Sequence, residues 1–83
     1  MGQIWILCRS LTYAQRAAEL LERKGITATV SRAPQGSDPR GCGHAVTVRK
    51  RGPEAVKILR DAHLPFGKLL ARGEDGGYRE VEL

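Results

Sequence analysis

Two stretches of helical spacing, each lying between stretches of strand-like alternation, restrict this chain to a small set of folds. Ile4-Trp5-Ile6-Leu7-Cys8 is short, β-prone and apolar throughout, as expected of a central strand covered on at least one face. Ala14, Ala17, Ala18 and Leu21 recur at i, i+3, i+4 and i+7, the spacing that lines one face of a helix. Thr12 followed by Gln15 gives a capping-box signal at the start of that helix, and Gly25 after Lys24 marks its stop. Strict alternation from Ile26 to Ser31 turns Ile26, Ala28 and Val30 toward a core and the hydroxyls outward. His44 to Lys50 alternates again through Val46 and Val48. Gly52-Pro53-Glu54 opens a second helix, with proline in its first turn and glutamate at the positive end of the dipole. Ala55, Ile58, Leu59 and Ala62 share a face of that helix, and Pro65 closes it. Beyond it, Lys68 to Ala71 and Tyr78 to Leu83 flank Gly73-Glu74-Asp75-Gly76-Gly77, whose Asp-Gly step signals a hairpin.

The order β-α-β-β-α-β plus a terminal hairpin strand predicts an α+β fold of the ferredoxin-like type. Its two right-handed crossovers would set both helices on one face of an antiparallel sheet. The other face then needs a polar surface, a partner or a second copy, so a homodimer is one expected arrangement. Eighty-three residues suit one domain, 1–83, close to the lower size at which an apolar core sustains folding unaided. A deep cavity with several catalytic groups is hard to build at that size. The apolar run at the start contains Gln3 and stops at Arg9, short of a signal-peptide core or a membrane span. The expectation is a cytoplasmic protein with its two cysteines reduced and no membrane partner.

The segment from Ala33 to His44 is irregular, and within it Cys42 lies between Gly41 and Gly43. Flanking glycines leave a sulfur uncovered. Cationic neighbours and backbone N–H groups stabilise its thiolate, which makes Cys42 a candidate for sulfur chemistry. In the predicted topology the end of the first strand, the start of the first helix, the end of the second strand and the start of the third meet at one edge. Arg9, Ser10, Thr12, Arg32 and Arg40 should gather there with the backbone of Gly41 and Gly43 to hold negative charge, helped by the helix N-terminus. His44 could serve Cys42 as base or cationic neighbour, and Cys8 as a resolving thiol. Each has a plainer reading: a free cysteine in an apolar strand is usually a small buried hydrophobe, and a histidine at a strand start is usually solvated. His63 reads as a cap of the second helix through dipole attraction, and Trp5 as core.

Net charge is +5, from fourteen Lys and Arg against nine Asp and Glu, which favours anionic partners. The one basic run, Arg49-Lys50-Arg51, falls at the edge opposite Cys42 and reads as a solvated turn. With four aromatic residues in the chain, the pattern of a nucleic-acid binder is incomplete. Cys42 and His44 without further ligands make a poor zinc site, so no metal and no cofactor are expected. Phosphate-loop, dinucleotide, paired-carboxylate and nucleophile-elbow motifs are absent.

The chain resembles a bacterial family of small domains of unknown function described as selenium/sulfur carrier-like. The resemblance rests on the apolar strand Ile4 to Cys8, the helix from Ser10 to Lys24, the Gly25-Ile26 step, and Pro34, Ser37, Cys42 and Gly43. It covers roughly the first fifty residues. Pro34-Gln35 stands where many relatives have Pro-Arg, and Asp38-Pro39-Arg40-Gly41 displaces the serine from the cysteine. The resemblance implies that Cys42 is the carrier atom, taking sulfur or selenium from a donor protein such as a cysteine desulfurase and passing it to an acceptor protein. That describes a carrier or binding module more than a stand-alone enzyme. A second reading is a regulatory or protein-interaction module in which the cysteine is incidental, and a weaker third is a basic RNA-binding domain.

Overall fold

The computed structural model of the chain describes residues 3–34, 43–73 and 75–83. The elements run β1 (Ile4–Cys8), α1 (Leu11–Arg23), β2 (Ala28–Arg32), β3 (His44–Val48), α2 (Gly52–Asp61), β4 (Leu69–Arg72) and β5 (Tyr78–Val81). The strands form one antiparallel sheet in the order β2-β3-β1-β4-β5. This is the expected α+β arrangement of two helices on a five-stranded antiparallel sheet.

Alternation sorts the side chains onto two faces. Ile4, Ile6 and Cys8 of β1 join Val46, Val48 and Leu69 beneath Ala14, Ala17 and Leu21 of α1 and Ala55, Val56 and Leu59 of α2. Both helices therefore cover the same face. Ile6, Leu21 and Leu59 are fully buried there, and each such side chain contributes about 1.5–3 kcal/mol. Trp5 and Leu7 point the other way, into a smaller cluster with Ala45 and Leu70 against which Ala33 packs. All five residues of β1 are buried, as its apolar run predicts. In α2 the buried set is Gly52, Ala55, Val56 and Leu59, so Val56 replaces the expected Ala62, which is exposed.

The helix ends follow local rules with one correction. Ser10, not Thr12, caps α1: its Oγ accepts from the Tyr13 N–H at 3.2 Å. Thr12 lies inside the first turn and is exposed. At the other end Gly25 adopts φ +83, with Gly25 N donating to Glu22 O and Ile26 N to Leu21 O. That double closure of the last turn is the Schellman motif, and its apolar pair is Leu21 with Ile26. α2 ends the same way on His63, which adopts φ 58 while His63 N donates to Arg60 O and Leu64 N to Leu59 O. His63 thus closes the helix through its backbone, in a conformation that usually selects glycine.

The start of α2 is tied to the end of α1 by Arg51. Its guanidinium donates Nη1 to Gly25 O at 3.2 Å and makes a two-point contact with the Glu54 carboxylate, Nε to Oε1 at 2.9 Å and Nη2 to Oε2 at 2.5 Å. β4 and β5 are joined by a tight hairpin with Gly76 at φ +85 and Asp75 Oδ1 accepting from Gly77 N at 2.9 Å, in agreement with the Asp-Gly signal. Among the described residues no helix is long and apolar enough to cross a membrane.

Candidate functional site

The sheet register brings part of the predicted constellation together. Cys8 pairs with His44 across β1 and β3, and His44 pairs with Arg32 across β3 and β2. Cys8, His44 and Arg32 therefore stand in one row at one sheet edge, all on the helix-facing side. Just beyond them Ala33 N donates to Gly43 O at 3.0 Å, which extends the β2–β3 ladder and draws together the two ends of the intervening segment. Cys42, Arg40 and Gly41 lie outside the described residues.

Burial separates these residues chemically. Cys8 is 0% exposed and its Sγ donates to Ile6 O at 3.6 Å, so it packs as a small core side chain. His44 is half-buried; Arg32, Gly43 and Arg9 are exposed. Arg9 and Ser10 follow Cys8 directly and share its edge, but the Ser10 hydroxyl is engaged in capping α1. The chain leaving α2 reaches the same edge, since Gly67 N donates to Leu7 O at 2.7 Å and Leu7 N to Lys68 O at 3.0 Å. Arg9 and Arg32 have no acidic partner among the described residues, where the ion pairs are Arg51–Glu54 and Lys68–Glu80. The described part of this edge therefore carries two exposed guanidinium groups without a neutralising carboxylate. Among the described residues, no group of three or more His, Cys, Asp or Glu side chains is arranged to hold a metal ion.

A groove on another part of the surface was not legible from the sequence. A groove of about 630 Å³ opens on the sheet face away from the helices, at the end opposite Cys8 and His44, and is lined by residues of β1, β2 and β3 together with Gly25 to Thr27 and Arg49 to Arg51. Trp5 contributes to this groove as well as to the smaller apolar cluster. Its ring meets that of Tyr78 edge-on, with centroids 4.9 Å apart. The alternation of Thr29, Ser31 and Thr47 was the available signal, since it marks hydroxyls turned off the core, but only the register shows that they converge with the basic run.

Comparison with curated proteins and with solved structures returns no significant match. Comparison with protein families returns one described as "Putative Se/S carrier protein-like", which matches residues 3–70, from before β1 into β4 and across the segment that carries Cys42. That span is most of the chain, and the protein belongs to this selenium/sulfur carrier-like family.

Proposed function

We propose that the protein is a carrier of sulfur or selenium whose acceptor atom is the sulfur of Cys42. The observation that carries this reading is the family match across residues 3–70, which includes Cys42. The cationic edge supports it: Arg32 and His44 stand in register next to Gly43, and Arg9 opens the turn after β1. The strand order β2-β3-β1-β4, with β5 added outside β4, supports a ferredoxin-like frame for that edge.

The transfer step is a thiol–persulfide exchange. The Cys42 thiolate attacks the terminal sulfur of a donor persulfide; the donor S–S bond breaks as the new one forms, and the donor leaves as thiolate. No external oxidant or reductant is consumed. A nucleophile of the acceptor protein then takes the terminal sulfur and regenerates the Cys42 thiolate; a selenium atom would follow the same path. Arg9, Arg32 and Arg40 favour the thiolate and the anionic persulfide, and His44 holds or releases a proton beside them. Cys8, sealed in the core, would reach a Cys42 adduct only with local opening of the edge. Such a step needs an exposed, activated thiol and docking surfaces for a donor and an acceptor protein rather than a deep pocket.

The pH dependence of alkylation by iodoacetamide, followed on Cys42 in a Cys8→Ala background, tests this activation. The reading predicts reaction in the folded state with a midpoint below the ordinary thiol value of about 8.5, and an upward move in Arg32→Gln. Labelling of Cys42 only after unfolding, or with an ordinary midpoint, would favour a regulatory or interaction module in which the cysteine is incidental.

A further inference from the structure

The basic run Arg49-Lys50-Arg51 has a partner surface that its sequence does not reveal. Thr29 and Thr47 are Cα partners across β2 and β3, and Thr47 is in turn the partner of Trp5 across β3 and β1. Two hydroxyls and an indole thus form a row across the sheet face remote from both helices, and that row lines the groove of about 630 Å³ at whose rim the basic run lies. Sites for small molecules fall within this size range. Arg49 and Lys50 are exposed and have no acidic partner among the described residues. Arg51 differs, because Glu54 and the Gly25 carbonyl already occupy its guanidinium. No acidic side chain is among the described residues that line the groove.

We propose that this groove binds a phosphate monoester of a sugar, either free or as part of a nucleotide. The phosphate would lie against Arg49 and Lys50, where charge-assisted hydrogen bonds are strongest. The sugar hydroxyls would exchange hydrogen bonds with Thr29 and Thr47, beside the small part of Trp5 that reaches the groove. Single-stranded nucleic acid fits less well: Trp5 is 7% exposed and is the one aromatic residue among those that line the groove, so a run of bases would find no succession of stacking surfaces. The groove opens on the sheet face away from the helices, whereas Cys8, His44 and Arg32 stand on the helix-facing side, so the two sites use opposite faces of the sheet.

Titration calorimetry on the full chain at about 150 mM salt, where long-range attraction is screened, tests the proposal with ribose 5-phosphate, AMP, inorganic phosphate, ribose and a short RNA as probes. The two esters should compete for one saturable site, and phosphate alone or ribose alone should bind at least about tenfold more weakly. The double variant Arg49→Gln/Lys50→Gln should lose about tenfold in affinity for both esters, as should Thr29→Val to a smaller extent, with thermal melting unchanged because these side chains are exposed. Failure of either ester to bind in the millimolar range would overturn the proposal. So would ester binding unaffected by these variants, or RNA that binds more tightly than AMP and gains affinity with length.

Discussion

Replacing Gly52 with alanine should cost the domain about 1–2 kcal/mol, although alanine is the better helix former. A Cβ at this position would lie 2.8 Å from Ile4 Cγ1 and 3.7 Å from Ile4 Cβ and Cδ1. Ile4 is 2% exposed on a strand with neighbours on both sides, so it has little room to retreat. Overpacking of this kind costs about 1–3 kcal/mol, and the helical gain of alanine over glycine, at most about 1 kcal/mol, offsets part of it. With a urea slope of about 1 kcal/mol/M for a domain this small, the midpoint should fall by about 1–2 M. The double-mutant cycle with Ile4→Ala isolates the cause, measured with sucrose in all four samples to keep the truncated proteins folded. Ile4→Ala alone should cost about 2–5 kcal/mol, but in that background Gly52→Ala should be neutral or stabilising. Costs that simply add would show that close approach to Ile4 is not why glycine starts α2.

Two further outcomes follow from the helix ends. His63→Gly should stabilise by about 0.5–1 kcal/mol, by removing a Cβ from a left-handed residue, and raise the melting temperature by a few degrees; an unchanged or lower value would mean that the imidazole itself contributes. Its hydrogen bond with Arg51, aided by the nearby charge, holds the Glu54 carboxyl below the usual carboxylate range. The contribution of that pair is therefore complete above the ordinary carboxylate pKa and lost as pH falls through the depressed folded value. Urea midpoints of wild type and Glu54→Gln should differ slightly near pH 7, since the pair is half-exposed and screened, and converge in acid once the carboxyl is protonated in the folded state as well. A gap that persists in acid would assign Glu54 another role.

Elements whose patterns are fixed by neighbours in sequence were legible. The apolar run of β1, the helical spacing of Ala14 to Leu21 and the Asp-Gly hairpin each match the structure. Departures occur where tertiary contacts choose between local options. Ile26 alternates with Ala28 and Val30 as a strand would, yet it closes the Schellman motif of α1, and β2 begins at Ala28. Ser10 and Thr12 are both competent caps, and Ser10 is the one in extended conformation before the helix. Val56 is buried where the helical spacing pointed to Ala62, since the core meets the first turns of α2. For the site, the order of elements and the topology it implies were enough to predict that His44 and Arg32 share an edge with Cys8. The groove was not legible, since Trp5, Thr29 and Thr47 come from three separate strands and meet only through sheet register. Arg40, Gly41 and Cys42 belong to the segment outside the described residues, and their part in the site rests on sequence and family.

Sulfur transfer to Cys42 can be read from intact-protein mass after exposure to a persulfide-loaded cysteine desulfurase, for wild type, Cys42→Ser and Cys8→Ser. Wild type and Cys8→Ser should each gain one sulfur atom, removed by a thiol acceptor, and Cys42→Ser should gain none. A sulfur adduct that survives loss of Cys42, or its absence from all three proteins, would contradict transfer to Cys42.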